Sequence, residues 1–357
     1  MSERDSVASM ERSASKRSSA RSKRASVASA SSKRASVSST SSSSSKRKSK
    51  RKSKSKGIDT NELMVKATNG LKTFGATTYT FLSMGVMFLV IYVVHKVLDF
   101  VNKNRKKKLS KKEETLLMGQ VFRRTSAAMI VDMNPFWSHE TFSDIPQEEL
   151  PKRAIYMANH MSFADPWCFS AAQRPVETKY VGKSDLFEYP IIGNAIVQSG
   201  DMRVEFVKDK ALGRWRSRTG TIDRLMDQAR EYLNMDIGVS VFPEGAVSLD
   251  GTLLPFKPGF FKLAVEMDVP IIPVGMWGTA DAWPNREKAS GSLTLGQADM
   301  KVHIGKPIYP EGRSVEELID VVYHEVRELR NGLPNFNLPE ELAYMDPKGR
   351  VANKLDE

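Results

Sequence analysis

Hydrophobic and polar positions divide the chain into stretches with different periods. Residues 1–57 hold almost no large apolar side chain and show no period. Residues 73–94, TFGATTYTFLSMGVMFLVIYVV, are 22 consecutive uncharged positions bounded by Lys72 and by His95 and Lys96. From about residue 115, apolar runs of strand length alternate with segments of helical period. AIYMA (154–158), TKYVG (178–182), IGVSVF (237–242), VPIIPVGMW (269–277) and KVHIG (301–305) read as strands. Between them, SFADPWCFSAAQ opens a helix, and TIDRLMDQAREYLN (221–234) brings Ile222, Leu225, Met226 and Leu233 close to one helical face. PGFFKLAVEM (258–267) places a proline near a first turn, and SVEELIDVVYHEVRELRNG ends on Gly332. VFRRTSAAMIVDM (121–133) has a helical period and is expected to lie along a membrane interface. The polar stretch from Pro135 to Pro151 reads as a connection. Two prolines in 269–277 remove ladder donors, so that strand is expected at an edge or a bulge. Strands alternating with helices predict an α/β fold, a mixed or mostly parallel sheet flanked by helices.

Length gives the apolar run its meaning. At about 1.5 Å per residue it reaches about 33 Å, against a hydrocarbon core of about 30 Å. One membrane-embedded helix is therefore expected within residues 58–114. Basic clusters lie on both sides, KRKSKRKSKSK (46–56) and KNRKKKLSKK (103–112), so the flank asymmetry that sets orientation is missing. Two readings stand. Either the helix spans and one basic flank is translocated, or it dips in and anionic headgroups hold both flanks on one face.

Charge separates the tail from the rest. Residues 1–56 carry 17 Lys/Arg against 3 Asp/Glu, and 23 serines. The other 301 residues carry 37 basic and 39 acidic side chains, a net of −2. A basic stripe on a folded nucleic-acid domain is not what this distribution describes. The tail is expected to be disordered, because it cannot bury enough surface to offset chain entropy. Ser26 and Ser36 each follow Lys-Arg-Ala and precede Val, a pattern that suits a basophilic kinase. The expected layout is a disordered Ser/Lys/Arg-rich tail (1–57), the membrane helix with its flanks (58–114), an α/β domain (115–345) and a polar C-terminal tail (346–357). The single cysteine, Cys168, rules out an intrachain disulfide and reads as buried filler. The five histidines show no ligand spacing, and no glycine-rich nucleotide loop precedes a helix.

Two histidines compete for a chemical role. In MANHMSFADPW (157–167), His160 precedes Asp165 by five residues; in SHETFSD, His139 precedes Asp144 by the same interval. His160 follows an apolar strand, where α/β folds tend to place sites, and His139 has no strand leading in. A His–Asp pair can deprotonate a hydroxyl, the imidazole taking the proton and the carboxylate fixing the tautomer. A core histidine satisfied by a nearby carboxylate is the competing reading of the pair alone.

Later stretches add context. VSVFPEG (239–245) ends a strand on Phe242, Pro243, Glu244 and Gly245, followed by PFKPGFF (255–261) and VPIIPV (269–274). With Asn159-His160 and Asp165, this ordered series resembles the glycerolipid acyltransferase family over roughly residues 115–310. The resemblance implies that His160 is the general base on an acceptor hydroxyl, with Asp165 orienting it. It implies direct attack on an acyl thioester without an acyl-enzyme, most like acylation of 1-acyl-glycerol-3-phosphate. Asn159, Phe242, Pro243, Glu244 and Gly245 would shape the acceptor site, and Lys183 would bind phosphate or stabilise the oxyanion. Two departures matter. GDMRVEF (200–206) puts Phe206 where the family carries an arginine, and Ala246-Val247-Ser248 lacks the arginine common after the third motif. Arg203, Lys183 and Lys257 are the available substitutes for a phosphate grip.

The resemblance implies no bound cofactor, the acyl-CoA or acyl-carrier protein being a substrate. The implied partners are a lysophospholipid, the thioester and anionic membrane lipid. The implied location is the endoplasmic reticulum membrane with the site on the cytosolic face, or alternatively a plastid membrane. Acylation of glycerol-3-phosphate or another lysophospholipid, and a catalytically inactive membrane-tethered interaction protein, are the other functions left open.

Overall fold

The computed structural model describes residues 60–190, 192–209, 214–284 and 294–344. The tail at 1–57, with Ser26 and Ser36, and the C-terminal stretch 346–357 lie outside the described residues.

The apolar run is the centre of one long helix, α1 (Thr60–Asn104), able by length and composition to cross a membrane. One side of it packs on the rest of the chain through Ala76, Thr80, Met87 and Ile91. Gly75 makes close approach possible, since a Cβ there would lie 2.6 Å from the Phe136 ring. The other side exposes Leu71, Phe74, Leu82, Leu89, Val93, Val97 and Phe100. The chain then reverses at Asn102, whose side chain accepts the Leu109 N–H at 2.7 Å and donates to Glu114 at 3.0 Å.

Helix α2 (Lys111–Ser126) opens with a capping box between Ser110 and Glu113, a motif contributing about 1 kcal/mol. It runs on into a π-helical turn, Ala127–Asp132. Phe122, Ala127, Ile130 and Val131 are buried in the core. The segment 121–133 therefore does not lie along an interface as its periodicity suggested. Its apolar face is covered by α1 and by α3 (Asp165–Ala172).

Seven strands form the main sheet. In chain order they are β1 (Trp137–Ser143), β2 (Ile155–Ala158), β3 (Thr178–Lys183) and β4 (Met202–Val204). After a separate antiparallel hairpin, β5 (Phe206–Asp209) and β6 (Arg214–Ser217), come β7 (Gly238–Val241), β8 (Ile271–Trp277) and β9 (Ala298–Ile304). The spatial order is β1-β9-β8-β2-β7-β3-β4, and every neighbouring pair is parallel except β8–β9.

Alternation along β2 splits the core into two layers. Tyr156 and Ala158 face α1, α2 and α3, whereas Ile155 and Met157 face α5 (Thr221–Asn234), α6 (Gly259–Met267) and α8 (Val315–Asn331). The remaining helices are short: α4 (Ile192–Gln198), α7 (Thr279–Ala282) and α9 (Glu340–Ala343). β2 and β7 are buried at every position, which is why they read as unbroken apolar runs.

Two further expectations are corrected. β8 is interior, not an edge, despite Pro273. The Pro273 carbonyl accepts the Gly305 N–H at 2.9 Å, so its donorless nitrogen faces the same side, just past the end of β9. Residues 137–143, expected as a connection, are the edge strand β1. Only alternate positions of an edge strand meet the core, so its sequence is mostly polar. β8, β2, β7, β3 and β4 all run the same way, and their C-terminal ends share one edge of the sheet.

Candidate active site

At that edge the chain leaves β2 through Asn159. Its amide NH2 donates to the Met276 carbonyl at 3.0 Å, and its oxygen accepts the Met276 N–H at 2.7 Å. Asn159 is buried and ties β2 to β8, so it braces the loop that carries His160.

The next five residues fold back on themselves. Asp165 is the first residue of α3, with Pro166 behind it in the first turn. Its Oδ2 accepts the N–H of Met161 at 2.7 Å and of Ser162 at 2.8 Å. The same oxygen meets His160 Nδ1 at 2.6 Å. An oxygen already accepting two N–H groups is an acceptor here too, so Nδ1–H donates and Nε2 keeps its lone pair. Asp165 is fully buried and the His160 side chain is 17% exposed. This arrangement fits a general base whose working nitrogen faces outward.

The turn after β7 closes over the same histidine. The Phe242 ring stacks on the imidazole, with centroids 4.1 Å apart and planes 14° apart. Glu244 Oε1 accepts the His160 N–H at 2.6 Å, and Oε2 accepts the Leu254 N–H at 2.8 Å. The His160 carbonyl in turn accepts the Ser248 N–H at 2.7 Å. Glu244 is 3% exposed, and burial pushes its pKa up to about 8 against the two donors that favour the anion. Both its oxygens serve the backbone, and one of them positions His160. Gly245 closes the turn, its N–H donating to the Phe242 carbonyl at 3.0 Å with φ at +66°. Lys257 N–H donates to the Pro243 carbonyl at 2.9 Å, which sets Lys257 beside this turn.

The other two cations stand farther along the edge. Lys183 ends β3, two strand spacings or about 10 Å from β2, and its ammonium lies 2.6 Å from Asp185. That bond holds the Asp185 carboxyl below its ordinary range. Arg203 sits on β4, the last strand, and pairs with Glu188 at 2.8 Å. Both strands lie beyond β7 from β2.

His139 separates cleanly from His160. It lies on β1, in register with Met300, and burial lowers its pKa. Asp144 pairs with His303 Nε2 at 2.8 Å instead. An extended strand carries residues five apart by about 17 Å, whereas the loop and helix start at 160–165 turn the same interval into a contact.

Three participants went unread in the sequence. Arg330, at the end of α8, is fully buried, donates from Nη1 to the Gly251 carbonyl at 2.8 Å, and has its pKa lowered to about 10 by burial. Tyr323 on the same helix donates to the Leu253 carbonyl at 3.1 Å. Together they pin the loop that follows Gly245. Their signal was a polar pair seven residues apart within an apolar helical face. Trp283 packs on Phe163, Trp167 and, from α1, Phe81, and its carbonyl accepts the Ser162 hydroxyl at 2.9 Å. Cys168 is buried and burial raises its thiol well above the ordinary range. Among the described residues no group of three or more His, Cys, Asp or Glu could hold a metal ion.

Comparison with known proteins agrees with this arrangement. Residues 143–277, from the end of β1 to the end of β8, match the family model described as Acyltransferase. The likeness to acyltransferases therefore falls on residues 143–277, the stretch that holds the His160–Asp165 pair. The chloroplastic 1-acyl-sn-glycerol-3-phosphate acyltransferase of Brassica napus is 28% identical to it over 203 residues, 56% of this chain and 53% of that protein. The human 1-acyl-sn-glycerol-3-phosphate acyltransferase alpha is 36% identical over 115 residues, 31% of this chain and 39% of that one. The chain thus spans about half the length of the plant relatives it matches. The crystal structure of the 1-acyl-sn-glycerophosphate acyltransferase PlsC from Thermotoga maritima shares the fold, with a TM-score of 0.51 at 22% identity, covering 74% of this chain and 95% of that one. The matched residues contain His160, Asp165, the 242–245 turn and Lys257; α1, α2 and α8 lie outside them.

Proposed function

We propose that the chain transfers an acyl group from a thioester, acyl-CoA or acyl-carrier protein, to the free hydroxyl of 1-acyl-glycerol-3-phosphate, giving phosphatidic acid. The observation that carries this reading is the 2.6 Å His160–Asp165 contact, held by two further N–H bonds at the acyltransferase domain's strand ends. His160 Nε2 takes the hydroxyl proton as the oxygen attacks the thioester carbon. Asp165 stabilises the imidazolium that forms. The tetrahedral intermediate expels the thiolate, which receives the proton from Nε2, and no acyl group is attached to the protein. The relatives named as 1-acyl-sn-glycerol-3-phosphate acyltransferases support the choice of acceptor.

The test is an acceptor panel with purified full-length protein: lysophosphatidic acid, glycerol-3-phosphate and lysophospholipids with larger headgroups, each with an acyl thioester. Turnover is expected with lysophosphatidic acid and is expected to be lost in His160→Ala. Activity confined to another acceptor would move the substrate assignment; activity unchanged in His160→Ala would remove the mechanism.

We also propose that α1 seats the domain in one face of a membrane, the endoplasmic reticulum on its cytosolic side or alternatively a plastid membrane. Contacts along α1 support a seated rather than a spanning helix. They run from Gly75 against Phe136, through Tyr79 donating to the Met133 carbonyl at 2.7 Å, to Asn102 bonding Glu114. That is about 40 Å of helix committed to the domain, while the opposite face stays apolar and exposed.

A further inference from the structure

We propose that Lys257 is the cation that holds the acceptor's phosphate, in place of the arginines missing at Phe206 and Val247. The inference rests on the acyltransferase reading above and deepens it by naming the group that selects a phosphorylated acceptor. A phosphate monoester on the carbon next to the reacting hydroxyl needs a cation close to His160, and Lys183, Arg203, Arg330 and Lys257 are four candidates among the described residues.

Three of the four are already committed. Lys183 lies against Asp185 at 2.6 Å and Arg203 against Glu188 at 2.8 Å, two and three strands from β2. Arg330 is fully buried and donates to the carbonyls of Gly251 and Ala343. Lys257 differs on each count. It is exposed, and among the described residues no carboxylate lies within ion-pair distance of it. Its backbone is bonded to Pro243, one residue from Glu244, whose carboxylate holds the His160 N–H.

Gly245 shows where the ammonium goes. A Cβ on Gly245 would lie 2.5 Å from Lys257 Nζ, 3.0 Å from Cε and 3.1 Å from Cδ. The lysine side chain therefore lies across the bare face of the turn, in space that only glycine leaves open. Gly245 has a second reason to be glycine, its φ of +66°. The family-like turn is thus kept while the guanidinium that usually follows it is replaced by an ammonium reaching back from residue 257. An ammonium is a point charge without a fork, so this grip recognises charge more than the orientation of the phosphate oxygens.

The experiment compares lysophosphatidic acid with the matching monoacylglycerol, the same lipid without its phosphate, in detergent micelles with full-length protein. Lys257→Ala is expected to raise KM for lysophosphatidic acid by about 10- to 100-fold, the range of a lost charged hydrogen bond, with kcat changed much less. Lys257→Arg is expected to restore most of that loss. The α6 surface control Lys262→Ala is expected to leave KM near wild type. Any monoacylglycerol turnover is expected to be indifferent to Lys257→Ala. An unchanged KM in Lys257→Ala, or an equal loss toward both acceptors, overturns the proposal while the acyltransferase reading stands. Wild-type protein that ignores lysophosphatidic acid overturns the acceptor assignment and this inference with it.

Discussion

The Glu244 carboxylate accepts the backbone N–H of His160 at 2.6 Å, joining the turn after β7 to the loop after β2. Its second oxygen reaches Leu254, and the Ser248 N–H reaches the His160 carbonyl, so the histidine is held at both its backbone N–H and its C=O. One buried acid thereby carries the register of the site.

That acid gives a pH dependence whose sign follows from linkage. Burial raises the Glu244 pKa to about 8 from an ordinary 4.5. Between those values the folded chain holds more protons than the unfolded one, so stability falls as pH rises. The contribution is fully present below the ordinary carboxylate pKa and is lost as pH passes about 8. Denaturant midpoints of wild type and Glu244→Gln, measured from pH 4.5 to 8.5, are expected to converge or cross as wild type declines. Parallel curves would show that Glu244 does not titrate in this window.

Asp165→Asn separates orientation from binding. Its side-chain amide would present N–H where Oδ2 now accepts three donors, or leave the imidazole in the wrong tautomer. A fall in kcat of about 10²- to 10⁴-fold is expected, with KM for both substrates little changed. His139→Ala is the internal comparison and is expected to stay within about twofold of wild type, because His139 lies on β1 and Asp144, its sequence partner, pairs with His303 instead. Equal losses in the two variants would break the assignment of the dyad. Steady-state kinetics on proteins of matched thermal stability decides.

What could be read from the sequence tracks how each residue's environment shows in its neighbours. β2 and β7 were legible because both faces are buried, and α5 because its apolar positions fall on one face. β1 was not, because an edge strand shows the core only every second residue, and that same polarity hid the strand leading into His139. Pro273 misplaced β8, since sequence cannot say that its missing donor falls where β9 has ended. His160 and Asp165 were legible as a pair through strand position and motif order. The duties of Asn159 and Glu244 were not, because both act on backbone of segments far along the chain, Met276 and Leu254. Arg330 was invisible for the same reason.

Asn159→Ala tests the brace. Removing the amide leaves the buried N–H and C=O of Met276 without the partners they have now. Each unsatisfied group costs about 1–3 kcal/mol, so a stability loss of about 2–6 kcal/mol is expected by chemical denaturation. The two orphaned groups are adjacent and relaxation is shared, so the lower half of that range is the better guide. Residual activity per folded molecule is expected to fall less than in Asp165→Asn. A variant as stable as wild type would mean that β8 holds its register without Asn159.

The two readings of α1 make opposite demands on its ends. If the helix stays packed along the domain, Lys66 and Lys106 lie on the same side of the bilayer, both exposed and flanking the apolar stretch. If it spans, they lie on opposite sides and the contacts of Gly75, Tyr79 and Asn102 with the domain cannot all persist. Single cysteines at 66 and 106 can report this, because the native Cys168 is buried and stays silent under mild labelling. In sealed vesicles carrying the full-length chain, a membrane-impermeant maleimide is expected to reach both positions from the same side. Protection of one and not the other until the vesicles are opened would establish a spanning helix and separate α1 from the domain.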